Sequence, residues 1–268
     1  MVNRSDLENA LAIVRSSPDH IVLERVVPRT QYHAPAGTPS IRAVYLDTET
    51  TGIDPDDVII ELAVVGFDFD PATGRIFNVA PARSWLEDPG QAIPEVITSM
   101  TGITDEMVQG HRIPDDEVVA ACEGAELIIA HNASFDRPLV ERRLSWFAEL
   151  PWACSQYDID WNSFGYSALA MDYLIMKHGR AFHDGHRAAA DVVAGVHVLA
   201  SAFADGTWPM KFLYANANLV TYRVRAVRSP FDAKDTLKAR GYRWDPGDAG
   251  RDKAWWIEVP SSGLAAER

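Results

Sequence analysis

Ala43 to Asp47 is a short apolar run that leads directly into Thr48, Glu49, Thr50, Thr51 and Gly52. Its β-branched and aromatic content reads as a strand. Side chains two apart on a strand share a face, so Asp47 and Glu49 aim both carboxylates at one spot. Two anions that close repel each other unless a cation lies between them. A donor set made only of oxygen suits a hard ion such as Mg²⁺ or Mn²⁺. The plainer alternative is a strand end dissolving into a polar turn at Gly52.

The segments around this strand alternate in kind. Val58 to Asp68 reads as a second strand, Arg75 to Ala80 as a third that Pro81 ends, and Glu126 to Ala130 as a buried fourth. Short helical pieces fill Pro94 to Cys122, broken by Gly102, Gly110 and Pro114, and Ser134–Ala148 and Gly185–Ala204 are the two long helices. Strands alternating with helices predict a layered α/β domain over residues 41–205. Residues 1–40 read as an N-terminal arm, helical around Leu7, Leu11, Ile13 and Val14, with a Pro-rich joint at Pro28, Pro35 and Pro39 around Ala36 and Gly37. Residues 219–268 change character and predict a small β-α-β-β accessory unit.

Charge and cysteine content exclude several classes. The net charge of −13 rules against a protein that coats nucleic acid through a general positive field, although bound metal can supply positive charge locally. From Leu219 onward ten Lys and Arg face seven Asp and Glu, a net +3, which leaves −16 on the rest. Cys122 and Cys154 are the only cysteines and lack CxxC spacing, so neither a disulfide framework nor a zinc site is expected, and a reducing cytoplasm is the expected compartment. The mixed charges of the first twenty residues do not have a signal-peptide layout. The longest apolar stretch, Ala188 to Ala204, carries Asp191 and His197 and is shorter than the roughly 20 residues of a membrane span.

Two further segments carry chemistry. In Ile128 to Asp136 (IIAHNASFD) a buried strand runs out and Ser134 is expected to cap the next helix. Asp136 then falls in the first helical turn, where the helix dipole favours a carboxylate, and the carboxyl end of a strand is where α/β sheets place ligands. In Phe182 to Asp191 (FHDGHRAAAD), Asp191 lies in the most apolar helix of the chain. A buried carboxylate needs a partner or a metal. His186 stands five residues before it, a spacing that does not share a helix face, so it must reach Asp191 from the loop-like first turn. His183 is the rival, eight residues away.

The three segments, in this order, resemble the DEDD (DnaQ-like) family of 3′-5′ exonucleases, the superfamily of the proofreading epsilon subunit of DNA polymerase III. DTETTG resembles the first exonuclease motif, HNASFD the second, and HRAAAD the third in its histidine form; Trp152 to Ser155 and Asp158 resemble the segment after the second motif. The resemblance covers about Ile41 to Ala204. It implies an RNase H-like α/β fold, a mixed sheet flanked by helices, and metal-dependent hydrolysis of phosphodiester bonds from the 3′ end of DNA to release nucleoside monophosphates in repair, proofreading or turnover. It also implies that Asp47, Glu49, Asp136 and Asp191 ligate two Mg²⁺ or Mn²⁺ ions and that His186 is the general base. Thr48, Thr50, Gly52, Asn132 and Phe135 are then expected around the 3′-terminal nucleotide.

Single-stranded or frayed 3′ ends are the expected partner, DNA ahead of RNA, with a DNA polymerase as a further partner to consider and no membrane. The alternatives are an RNase T or oligoribonuclease-like trimmer of RNA ends and a non-catalytic, polymerase-associated interaction module; the intact acidic residues and His186 argue against the latter. No clear clamp-binding peptide stands out. In the tail, basic and aromatic residues interleave from Phe231 to Trp256, which suits stacking on bases plus phosphate contact. The favoured reading is instead that most of Phe231, Leu237, Trp244 and one of Trp255 and Trp256 form the core of a mini-domain with little else to bury.

Overall fold

A computed structural model describes residues 3–35, 37, 39–247 and 250–267. Ala36 of the Pro-rich joint and Asp248 and Ala249 of the tail turn lie outside the described residues. The chain divides into two compact units, Met1–Ala217 and Asn218–Arg268.

The first unit runs through α1 (Arg4–Arg15), β1 (Glu24–Arg25), β2 (Ile41–Thr50), β3 (Ile59–Phe69), β4 (Ile76–Phe77) and β5 (Arg83–Leu86). It continues through α2 (Glu95–Thr101), α3 (Asp105–Val108), α4 (Asp115–Ala121), β6 (Leu127–Ala130), α5 (Ala133–Arg143) and β7 (Trp152–Cys154). It closes with α6 (Met171–Lys177), β8 (Ala181–Phe182), α7 (Ala188–Ala200) and α8 (Pro209–Ala217). The main sheet has the order β4-β3-β2-β6-β7, with β5 also paired to β3. β2 is antiparallel to β3 and parallel to β6, and β6 is parallel to β7, so the sheet is mixed. The α/β class and the mixed sheet are as the sequence predicted.

Alternation along β2 sorts the core into two layers. Ala43 and Tyr45 join Leu127, Ile129 and the apolar side of α7, including Val192, Val196 and Leu199. Val44 and Leu46 face the other way, with Ile128, Val118 of α4 and Leu139 and Val140 of α5. Helix α7 lies close to the sheet because of Gly195: a Cβ there would sit 2.1 Å from the Tyr45 ring.

Several elements differ from the sequence reading. β2 is ten residues long, because pairing with β3 from Ile41 to Thr50 holds polar residues the apolar run alone did not include. The third strand shrinks to Ile76–Phe77. Helix α5 starts at Ala133, with Asn132 at its N-cap in the left-handed region at φ 62°, so Ser134 is inside the helix rather than at its cap. It stops at Arg143 because Leu144 leaves the helical region at φ −134° and ψ 79°, and Ser145–Glu149 continue as a 3-10 turn. In the arm, β1 pairs in parallel with β8.

The second unit contains β9 (Thr221–Val227), α9 (Lys234–Ala239), β10 (Arg243–Asp245) and β11 (Ala254–Pro260), with the antiparallel order β10-β11-β9. Its buried apolar residues are Leu237, Tyr242, Ala254 and Val259. Phe231, 77% exposed, and Trp244, 49% exposed, are not core, contrary to the favoured sequence reading. The backbone of a unit this small turns these two rings outward, and Tyr242 occupies the interior instead. Among the described residues no helix is long and apolar enough to cross a membrane.

Candidate functional site

Asp47 and Glu49 extend the odd-numbered face of β2, the face that α7 covers. Asp191 lies in the first turn of α7. One carboxylate oxygen from each of Asp47, Glu49 and Asp191 lies within 4.8 Å of the other two. The fourth carboxylate arrives from the opposite layer. Asp136, in the first turn of α5, is buried and accepts from the Thr48 amide at 3.1 Å and from the Thr48 hydroxyl at 2.7 Å. Thr48 points to the even-numbered face, so its hydroxyl is engaged with Asp136.

The electrostatics are those of crowded anions. Burial, followed by repulsion from Asp136, Asp191, Glu49 and Glu61, holds the Asp47 carboxyl well above the usual range. Burial and then Asp191, Glu61 and Asp136 push Glu49 up to about 7, with Arg187 opposing. Burial raises Asp136 to about 7 against the two Thr48 hydrogen bonds. Burial first, and for Asp47 and Glu49 the neighbouring anions next, favour the protonated form of each group. Oxygen donors that converge and repel fit a divalent metal well.

Two histidines flank Asp191 differently. His183 is only 4% exposed, and its Nε2 lies 2.8 Å from Asp191 Oδ1. That hydrogen bond is the main cause of its raised pKa. The Arg187 amide donates to Asp191 Oδ2 at 3.1 Å. Asp191 thus has the partners its apolar helix demanded. His186 is exposed, with a left-handed backbone at φ 65° just before the helix. The structure brings Asp47, Glu49 and Asp191 together and bonds Asp191 to His183 and the Arg187 amide.

Glu61 escaped the sequence reading. It stands opposite Glu49 on β3 and is 1% exposed. Its carboxylate accepts from Arg187 Nε and Nη2 and from the Ala188 amide, each at 3.1 Å. The pair fastens the start of α7, and with it Asp191, to the sheet. The available signal was a lone Glu in the otherwise apolar run Ile59 to Val65.

Of the expected nucleotide-contacting residues, Thr48, Thr50 and Gly52 lie on β2 and the turn after it, and Asn132 and Phe135 at the start of α5. Thr50 is buried and its hydroxyl donates to the Gly52 carbonyl at 2.5 Å. Gly52 sits against the Asp57 carboxylate, 2.5 Å from where a Cβ would lie, so a larger residue there would have to displace Asp57. Asp57 accepts from the Thr51 hydroxyl and the Asp54 amide, both at 2.7 Å, and so shapes the turn after β2. Asn132 caps α5 and accepts from the Ser134 hydroxyl at 2.8 Å, and Phe135 is half-buried against the α5 layer. Beneath Asp47, Tyr45 is hydrogen-bonded to Ser155, Ser155 to His131, and His131 to the Leu169 carbonyl, at 2.8, 3.0 and 2.7 Å. That accounts for the histidine of the second motif.

The RNase T family model, described as Exonuclease, matches residues 44–199. PolC-type DNA polymerase III of Listeria welshimeri is 39% identical over 94 residues, 34% of this chain and 6% of that protein. The 3′-5′ exonuclease DinG of Bacillus subtilis is 33% identical over 108 residues, 38% of this chain and 11% of that protein. The chain therefore spans a small fraction of the curated relatives it matches. A solved structure of exonuclease X in complex with 5′ overhanging duplex DNA covers 63% of this chain and 99% of its own, at 24% identity and a TM-score of 0.41. The matched span contains Asp47, Glu49, Asp136, His186 and Asp191, and the chain belongs to this exonuclease family.

Proposed function

We propose that the protein removes nucleotides one at a time from the 3′ end of DNA, hydrolysing phosphodiester bonds to release nucleoside monophosphates. The observation that supports this best is the cluster of Asp47, Glu49 and Asp191 within 4.8 Å, inside the matched exonuclease span. These three residues would hold a divalent ion, and Asp136 would complete a second position once released in part from Thr48. Two Mg²⁺ or Mn²⁺ ions bound there would lower the pKa of water and offset charge on the attacking and leaving oxygens.

His186 is the proposed general base. A base needs an unprotonated nitrogen that water can reach, and His186 is exposed whereas the His183 side chain is 4% exposed and bonded through Nε2 to Asp191. The backbone amides of the Thr50 to Gly52 turn and the ring of Phe135 are proposed to seat the terminal nucleotide. Thr48 acts behind them as the residue that orients Asp136. DNA is proposed as the polymer because matching relatives are named DNA polymerase III. The reading sets this work in the cytoplasm, where DNA is accessible and the free thiols Cys122 and Cys154 stay reduced.

The test uses 5′-labelled single-stranded DNA, duplex with a mismatched 3′ end, and short RNA, each with Mg²⁺, Mn²⁺ or EDTA. The expected result is a ladder shortened from the 3′ end on DNA with either metal and an intact strand in EDTA. Cleavage undiminished by EDTA overturns the metal reading, and preference for RNA overturns the substrate.

A further inference from the structure

The second unit carries a cleft that the exonuclease site does not use. Phe231, Lys234, Lys238, Trp244 and Trp255 line it, together with Ser229 and Pro230, around a volume of about 500 Å³. That is within the range of about 300–1,000 Å³ that small-ligand sites occupy. Among the described residues no acidic side chain lines it.

Its walls follow from the local fold. Trp244 on β10 lies directly opposite Trp255 on β11, with ring centroids 5.3 Å apart and planes inclined at 60°. Lys234 and Lys238 are four apart on α9, so they share a helix face. Lys234 Nζ lies 4.3 Å from the centre of the Phe231 ring, and Lys238 Nζ lies 5.8 Å from that of Trp255. Phe231 and Trp244 are 77% and 49% exposed, and both belong to the lining of the cleft.

The opposite face shows the contrast. Trp256 is covered by its own chain, with the Arg223 and Arg243 guanidiniums 4.3 and 5.1 Å from its ring centre. Arg223 is in turn paired with Glu258, Arg225 with Asp245 and Arg240 with Glu267. These arginines are internally neutralised. Among the described residues Lys234 and Lys238 are in no ion pair, and both stand at the aromatic cleft.

We infer that this cleft binds a single strand of nucleic acid, with an unpaired base against Phe231 and Trp244 and the flanking phosphates on Lys234 and Lys238. Open aromatic faces beside unpaired ammonium groups are the combination that holds single strands without reading sequence. The charge complementarity favours a polyanion over an apolar peptide. The site goes beyond the proposed hydrolysis and contains none of the residues assigned to it.

The experiment uses the full chain in EDTA, where divalent ions do not support the exonuclease site. Affinity for fluorescently labelled dT12 and rU12 is measured across a salt series for the parent protein, Phe231→Ala, Trp244→Ala, Trp244→Phe and the double variant Lys234→Gln/Lys238→Gln. Each alanine variant is expected to weaken binding by about 5- to 150-fold, the range for losing one base stack, and Trp244→Phe to retain most of it. The double lysine variant should flatten the slope of log affinity against log salt by about 1.4, or about 0.7 per phosphate contact. The two oligomers show which polymer the cleft takes, and a loss with either supports it. Thermal melting checks folding, and because Phe231 is exposed its variant decides the question if Trp244→Ala unfolds. Parent-like affinity and slope in Phe231→Ala and in the lysine double variant overturn the inference. The exonuclease reading fails separately, as absence of cleavage with Mg²⁺ or Mn²⁺ while these binding differences persist.

Discussion

His183 Nε2 lies 2.8 Å from Asp191 Oδ1, while His186, three residues later, stays exposed on a left-handed turn of backbone. The histidine nearest the acidic cluster is thus not the one with the spacing of the exonuclease motif. His183 donates from Nε2 to the Asp191 carboxylate, and its side chain is 4% exposed, so the ring is held as a positioning partner away from bulk water.

This relationship separates the two residues experimentally. His186→Ala is expected to lower turnover by roughly 10²- to 10⁴-fold with little change in substrate affinity. His183→Ala should leave more activity, losing only what the positioning of Asp191 contributes. Single-turnover cleavage of labelled DNA measures both; a crippled His183→Ala beside an active His186→Ala reverses the assignment.

The raised carboxyls make stability depend on pH in the metal-free protein. Glu49 and Asp136 both titrate at about 7 in the folded state, against ordinary values near 4 unfolded, and Asp47 is likewise held well above its ordinary range. The folded state therefore binds more protons, so stability is greatest below about pH 4 for these groups and falls as pH rises through 7. Melting in EDTA across this window should show the decline. Mg²⁺ should flatten it, and Asp47→Asn should raise the neutral-pH melting temperature by about 2–4 °C for each kcal/mol of repulsion removed. A metal-free melting temperature that rises steadily from pH 4 to 7 contradicts the sign.

The ion pair of Glu61 with Arg187 should respond asymmetrically. Arg187→Ala leaves a 1%-exposed carboxylate with only the Ala188 amide as partner, which should cost on the order of 3 kcal/mol. Glu61→Gln leaves a half-exposed guanidinium that water can solvate, so the cost should be nearer 1 kcal/mol. Urea denaturation orders the two variants, and the reverse order discards the account.

Gly195 tests the packing beneath the site. An added Cβ meets the Tyr45 ring at 2.1 Å, so Gly195→Ala should destabilise by about 1–3 kcal/mol or more as α7 moves off β2. A melting temperature equal to the parent's shows that the helix has room the geometry denies.

Sequence alone determined what acts over a few residues. The two-residue period of a strand put Asp47 and Glu49 on one face, the alternation of apolar strands with helices gave the α/β class, and the resemblance to the exonuclease family implied its mixed sheet. The order of DTETTG, HNASFD and HRAAAD pointed to the exonuclease family that the matched span bears out. Tertiary structure decided the rest, because layer packing joins residues that no local period relates. Thr48 holds Asp136 across 88 positions and Glu61 holds Arg187 across 126. His183 reaches Asp191 because α7 begins only at Ala188, leaving the preceding loop free to fold back. In the tail, alternation predicted that adjacent tryptophans face apart. Only the packed unit decided that arginines cover Trp256 while Phe231 and Trp244 stay open to solvent, since burial depends on which neighbours a fifty-residue fold can bring to each ring.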